Sequence, residues 1–184
     1  MQTNIAKKST QQSVDYASKS LKISLNSYIS FLNNANLKNA TEMSIASNLA
    51  GKAINISKTT APHAASYPFT SLFNINHGHA VGLFFESFFK FNFDNLKKSE
   101  TSFDLKKRFE LIFRLFDVGD IKSFNSKILF IKNEANLDSS LKNLNIDVYK
   151  NSEQIIKGIN LLRLGNNPVK INKNDIFKII SKSF

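Results

Sequence analysis

The sequence predicts an all-α helical bundle forming one domain over residues 1–184. Apolar residues recur at spacings of three and four in most segments, and Ser, Thr, Asn or Asp stands where several of those runs begin. Strand-type alternation, internal repeats and a glycine-rich phosphate loop are not found. With 42% hydrophobic residues, the chain is long enough for one sizeable core and short for two domains.

From Ser9 to Leu32, Val14, Ala17, Leu21, Leu25, Tyr28 and Leu32 are spaced 3, 4, 4, 3 and 4, which is a helix with one buried face. Ser9 and Gln12 form a capping-box pattern at its start, and Asn33, Asn34 and Asn36 break it. A second helix is expected from Ala40 to Ile56, with Met43, Ala46, Leu49 or Ala50, Ala53 and Ile54 or Ile56 inward. Gly51 costs such a helix about 1 kcal/mol relative to Ala, and a close contact is one reason for it.

Thr59 or Thr60 caps the next helix, with Pro62 in its first turn, where a missing N–H has no partner to lose. Pro68 should kink or distort that helix. Asn74-Ile75-Asn76 reads as a loop, and Asn76 caps a helix from His77 to about Phe91. Its residues Ala80, Val81, Leu83, Phe84, Phe85, Phe88, Phe89 and Phe91 make it apolar nearly all round, as in a central helix.

A polar connection, Asn92 to Ser102, leads to an amphipathic helix from Phe103 to Phe116, ended by Asp117-Val118-Gly119-Asp120. Helical segments follow at Ile121–Ile131, Leu137–Leu144 and Ser152–Leu164, the last with Ile155, Ile156, Ile159 and Leu162 in register. Arg163 to Pro168 is a turn cluster, and Asn172 or Asn174 caps a last helix, Asp175 to Ser181.

Composition narrows the function classes. Zero cysteines exclude a disulfide scaffold and a thiolate metal site, so any metal must use His and carboxylate ligands, and a reducing cytoplasm fits. No segment reaches the roughly 18 apolar residues of a membrane span, and the first residues lack an apolar signal core, so a cytoplasmic, non-membrane protein is expected. The net charge of +11 raises nucleic acid as a partner. Against it stand 22 scattered lysines and only 3 arginines, the residue suited to bidentate phosphate and guanine contacts.

Chemistry is concentrated between Lys58 and Val81, which hold all 3 histidines and two of the 3 prolines. His63 and Tyr67, four apart, share a helical face. His77 and His79 are about 200° apart around a helix, so one of them faces a shared site. His77, directly after a loop, is the better partner for His63, and His79 is expected to be structural or to support the site from outside. Two histidines fourteen residues apart are, alone, a weak metal signal.

The run His63-Ala-Ala-Ser-Tyr-Pro, followed by Asn74-Ile-Asn-His-Gly-His-Ala-Val, resembles the C-terminal helical domain of iron-containing alcohol dehydrogenases, in the superfamily of dehydroquinate synthase and glycerol dehydrogenase. Leu49-Ala-Gly-Lys-Ala-Ile-Asn before it and Asn166-Asn-Pro with the Asp175 helix after it extend the resemblance over nearly the whole chain. The lead-in Lys58-Thr-Thr resembles a branch that includes phosphonoacetaldehyde reductases.

The resemblance implies a divalent metal, Fe2+ or alternatively Zn2+, held by one Asp and three His, and NAD(P) exchanging hydride with an alcohol or aldehyde. His63 and His77 map onto the last two metal ligands. Tyr67 maps beside the metal, as a catalytic or cofactor-binding residue contacting substrate or nicotinamide. Lys58 is a candidate substrate-binding residue for an anionic group.

The family pattern also places an Asp-x-x-x-His pair and a nucleotide-binding α/β domain earlier in the chain. Neither is present: Asp15 with Lys19 is the nearest pattern, and lysine cannot replace the ligand at neutral pH. The chain is therefore expected to begin just after that pair, as a fragment or as one subunit of a split enzyme. Alone, it is expected to bind metal weakly and to turn over no substrate, with NAD(P) held mainly by a separate nucleotide-binding domain. Three alternatives stay open: a non-catalytic helical interaction module, a basic nucleic-acid-binding domain, and a metal-free relative acting on phosphate-bearing substrates. Assembly as a homodimer is also left open.

Overall fold

The computed structural model describes residues 1–182. The helices are α1 (Gln2–Ile5), α2 (Gln11–Asn33), α3 (Leu37–Ser57), α4 (Ala61–Phe73), α5 (His77–Asp94), α6 (Leu105–Phe116), α7 (Ile121–Glu134), α8 (Ser152–Gly158), α9 (Leu161–Leu164) and α10 (Lys173–Ser181), with a 3-10 turn at Leu96–Lys98. The fold is all α, as the periodicity predicts. Among the described residues no strand forms, and an isolated antiparallel bridge joins Ser99 to Val169. No helix among them is long and apolar enough to cross a membrane.

The chain divides into two compact units, one from Met1–Lys58 and Thr101–Ala135, the other from Thr59–Glu100 and the residues from Asn136 on. In the first unit α2 and α3 pair along a seam of small residues. Ser13, Ala17, Ser20 and Ser27 of α2 are buried, as are Ala46 and Ala53 of α3. Such small side chains let two helix axes approach closely. The Ser20 hydroxyl donates to the Ala46 carbonyl (2.7 Å), and that of Ser27 donates to the Glu42 carboxylate. Beside this pair an aromatic cluster of Phe113 and Phe116 from α6 and Phe124 from α7 has ring centroids 6.0 and 4.8 Å apart.

Several local expectations are corrected in this unit. The capping box at α2 uses Thr10 and Ser13 rather than Ser9 and Gln12. Leu32, expected inward, lies at the α2–α3 turn and is exposed. A Cβ on Gly51 would meet nothing within 4 Å, so that glycine marks no close contact.

The second unit is built around α4 and α5. Ala61, Ala64, Ala65 and Phe69 of α4 pack with Ala80, Leu83, Phe84 and Phe88 of α5, and Ile155, Ile176 and Ile180 complete the same core. The rings of Phe69 and Phe84 lie 4.6 Å apart. The expected helix over Leu137–Leu144 does not form; residues 137–140 are irregular and 141–144 form a turn. Asn136 and Asn145 adopt φ of 52° and 56°, the left-handed region, and Asp138 and Ser140 bond the local chain, so residues that favour turns outweigh the apolar spacing. Leu141, Ile146 and Val148 still reach the core without a helix.

The segment Ser152–Leu164, expected as one helix, is broken into α8 and α9. Ile155 and Ile159 face the core as the spacing predicts, whereas Leu162, assigned inward, is 89% exposed. The break traces to Pro68. Proline has no N–H to donate to Ala64, four residues earlier in α4. The amide of Asn160 donates to the Ala64 carbonyl instead, at 3.2 Å. Gly158 sits directly on the proline ring, where a Cβ would come within 2.9 Å of the Pro68 Cβ. A continuous helix with a side chain at that position cannot approach so closely.

Candidate functional site

The site is prepared by two helix starts. Thr60 precedes α4, and Pro62 occupies its first turn, so the helix begins where the proline costs no hydrogen bond and His63 follows at once. The same start is fastened from the far end of the sequence. The Asn166 side-chain amide donates to the Thr59 carbonyl (2.9 Å), and the Ala61 amide donates to Asn167 Oδ1 (3.4 Å). Asn167 in turn donates to Asn92 Oδ1 of α5 (2.7 Å) and to the Val169 carbonyl (2.8 Å). A closed set of buried amides therefore links the beginning of α4 to α5 and to the turn before α10.

At the other end of α4, Asn74 takes a left-handed conformation at φ 54° and the amide of Ile75 reaches back to the Phe69 carbonyl, 3.4 Å. The loop runs back along α4, and α5 opens with His77 beside residues one to three turns earlier. The rings of His63 and His77 are 5.3 Å apart, edge to face, and the ring of Tyr67 lies 5.9 Å from His77. His63 and Tyr67, which the spacing groups on one face of α4, are thus brought together with His77 at the start of α5.

His79 is directed elsewhere. Its Nε2–H donates to the carbonyl of Asp138, 2.7 Å away, tying α5 to the turns after α7's sequence. Lys58 is the last residue of the first unit, exposed, with φ 59°, and its ammonium donates to the Asn55 carbonyl (2.7 Å). It closes the C-terminal turn of its own helix.

The electrostatics favour a metal-ligating form of His63. Burial pushes its pKa down to about 4, and the nearby His77 ring and Arg163 guanidinium disfavour its protonated form in the same direction. At neutral pH the ring therefore keeps a lone pair, as a ligand to iron or zinc must. Two imidazoles are fewer than the three protein ligands of a typical catalytic site. Among the described residues no group of three or more His, Cys, Asp or Glu is arranged to hold a metal, so the pair fits as part of a ligand set and does not complete one.

Sequence reasoning missed Arg163, Asn160 and the buried asparagines Asn92, Asn166 and Asn167. Each acts through contacts 75 to 107 residues away in sequence or through the Pro68 vacancy, and no local pattern announces such contacts. An Asn-Asn-Pro turn and a proline inside a predicted helix were the available signals.

Comparison with known proteins identifies the family of this fold. Residues 5–184 match the profile of the Fe-containing alcohol dehydrogenase family, C-terminal. No curated protein sequence gives a significant match. Among solved structures, an archaeal halo-thermophilic alcohol dehydrogenase from a Red Sea brine pool superposes with a TM-score of 0.88 at 20% identity, covering 100% of this chain and 47% of the other. Sulfoacetaldehyde reductase from Bifidobacterium kashiwanohense, solved in complex with NAD+, gives 0.84 at 22% identity over 99% of this chain and 46% of that one. An iron-containing alcohol dehydrogenase from Thermotoga maritima gives 0.76 at 21%, over 99% and 45%. The chain thus spans about half the length of the solved structures that it resembles. Its all-α fold and the match over residues 5–184 place it in the Fe-containing alcohol dehydrogenase family, as the family's C-terminal helical domain.

Proposed function

We propose that this chain supplies the metal-holding, substrate-facing half of an NAD(P)-linked alcohol dehydrogenase or aldehyde reductase of the cytoplasm. The observation that carries the reading is the convergence of His63 and His77, 5.3 Å between ring centroids, with Tyr67 alongside. In this reading residues 1–184 act as one functional domain. His63 and His77 hold a divalent iron or zinc ion together with ligands from a nucleotide-binding half, on the same or another polypeptide.

When bound, such a cation supplies Lewis-acid polarisation of a carbonyl or alkoxide oxygen while the nicotinamide exchanges hydride with the adjacent carbon. The residues of this chain do the rest of the positioning. The half-buried ring of His63 stays neutral at neutral pH and keeps its lone pair available. Tyr67, 37% exposed at the rim, offers a hydroxyl and a ring face to substrate or nicotinamide. Lys58 enters with its ammonium engaged by Asn55, and an anionic group would have to displace that bond.

The test is a Co2+ titration of the purified chain followed by visible absorption. Wild type should bind weakly, and H63A or H77A should each abolish the ligand-field bands. Bands unchanged in both variants would overturn the assignment. Adding a nucleotide-binding half that contributes an Asp-x-x-x-His pair should raise Co2+ affinity and allow NAD(P)H-dependent aldehyde reduction, and H63A should remove both gains.

A further inference from the structure

Three arginines occur in the chain, and they are held differently. Arg108 lies over the Phe103 ring at 4.9 Å and is within the field of Asp15. Arg114 is exposed on α6. Arg163 is half-buried on α9, and its guanidinium has no hydrogen-bond or ion-pair partner among the described residues. A partly desolvated cation without a counter-charge is costly, and native structures rarely keep one without use.

The orientation of α9 deepens the anomaly. Its sequence is Leu161-Leu-Arg-Leu, and Leu161 and Leu162 are 60% and 89% exposed, while Arg163 is turned inward. An unconstrained amphipathic turn would place these residues the other way round.

The constraint is visible in the chain of bonds from α4. Pro68 leaves the Ala64 carbonyl without its helical donor; the amide of Asn160 supplies one at 3.2 Å; and Asn160 Oδ1 then accepts from the Arg163 amide at 3.0 Å. Ala64 is the residue next to His63. The turn bearing Arg163 is thereby fixed to the part of α4 that carries the histidine.

We infer that Arg163 forms an anion subsite beside the His63–His77 pair and receives a carboxylate, sulfonate or phosphonate group of a short aldehyde or alcohol substrate. The guanidinium is suited to this because its planar fork meets two oxygens of such a group at once. The inference deepens the proposed dehydrogenase reading and rests on it for the identity of the substrate; the anion subsite itself is measurable without turnover. It also moves the anion-binding role from Lys58, whose ammonium closes its own helix, to a residue tied to the histidines.

The test is direct binding of methylphosphonate to the purified chain at about 0.15 M salt, where scattered surface lysines are screened. It is read by titration calorimetry and by the Arg163 Nε–H resonance. Wild type should bind with a shift of that resonance. R163Q should weaken binding by about tenfold or more, while R163K, which keeps the charge and loses the fork, should fall between the two. Circular dichroism and retained Co2+ bands in R163Q would show that the domain and the histidine pair are intact. Methylphosphonate bound equally by wild type and R163Q, an unshifted Arg163 resonance, or no binding to wild type would overturn the inference. Failure of the metal reading looks different: H63A and H77A would leave Co2+ binding unchanged while the R163Q effect on methylphosphonate persisted.

Discussion

The two site-bearing helices of the second unit, α4 and α5, start by other means than the long helices of the first. In the first, long helices of 23, 21, 12 and 14 residues are started by their own side chains: Thr10, Asn36, Asp104 and Asp120 each accept the amide three residues on. Its polar bonds are largely local. In the second, α9 and α10 are capped locally by Asn160 and Asn172, but Thr60 and Asn76 make no side-chain cap bond to α4 or α5, and the start of α4 and its Ala64 carbonyl are held by Asn160, Asn166 and Asn167 from distant sequence. The candidate site lies in the second unit. Long-range bracing costs chain entropy, but it fixes one helix start against several elements at once, which a site needing ring-to-ring precision requires.

The strongest way to break that comparison is Asn167→Ala. The side chain is 1% exposed and serves Ala61, Asn92 and Val169, so truncation leaves buried donors and acceptors without partners. At about 1–3 kcal/mol for each such group, partly relieved by relaxation, a loss of roughly 3–5 kcal/mol is expected. Amide hydrogen exchange should show it in α4, α5 and α10 and leave α2 and α3 protected. Equal loss in both sets of helices would mean that the units do not differ as described.

Acid separates the units next. His63 has a folded pKa of about 4 against 6.5 for the free side chain, so the unfolded state binds more protons between those values. Stability conferred by the neutral ring is complete above pH 6.5 and is lost progressively down to pH 4, by up to about 3 kcal/mol. In the first unit the Asp120 carboxyl is held below its usual 3.8 by hydrogen bonds from Ser123, so its contribution is present above that value and fades only beneath it. Between pH 6.5 and 4, therefore, the His63 unit should weaken first. Denaturant melts of the chain in EDTA should show this slope, and H63Q should flatten it; a slope identical in H63Q would assign the acid sensitivity elsewhere.

Gly158→Ala probes the proline contact. The added Cβ would stand 2.9 Å from the Pro68 Cβ, and a ring cannot swing aside as a long side chain can. A destabilisation of about 1–3 kcal/mol is expected. Because α8 and α9 are positioned together, the Asn160–Ala64 bond should lengthen too, visible as faster exchange of the Asn160 amide. Gly51→Ala is the matched control: it meets open space and should gain up to about 1 kcal/mol as Ala replaces Gly in a helix.

How far the sequence could be read follows the same division. Helix α2, with its spacing of three and four, was legible to within two residues at each end, and α6 equally so, because periodicity and caps are local. His63, Tyr67 and His77 were legible as a group because the loop between α4 and α5 is short and carries Asn74, a residue tolerant of the left-handed turn. Leu137–Leu144 and Ser152–Leu164 were misread because their fate depends on what they touch. Apolar spacing is satisfied in both, yet Leu141 reaches the core from a turn, and α8 must stop where Gly158 meets Pro68, ninety residues earlier in the chain. Arg163 was invisible for the same reason: its surroundings are set by Asn160 bonding to Ala64.

The smallest expected effect completes the comparison from the other side. Thr10→Ala removes a side-chain acceptor at one exposed helix start, where the Ser13 amide is 3.2 Å away. The reciprocal bond from the Thr10 amide to the Ser13 hydroxyl, 2.9 Å, can persist. A cost of about 1 kcal/mol is expected, confined to the first turn of α2 because water can satisfy the exposed amide. Exchange should quicken at Ser13 and Val14 only, with Co2+ binding by the His63–His77 pair unaltered. If loss of this local cap disturbed the pair as much as loss of Asn167 did, the distinction between a locally capped unit and a cross-braced one would fail; a graded response would support it, since only the bracing of α4 then governs where His63 stands.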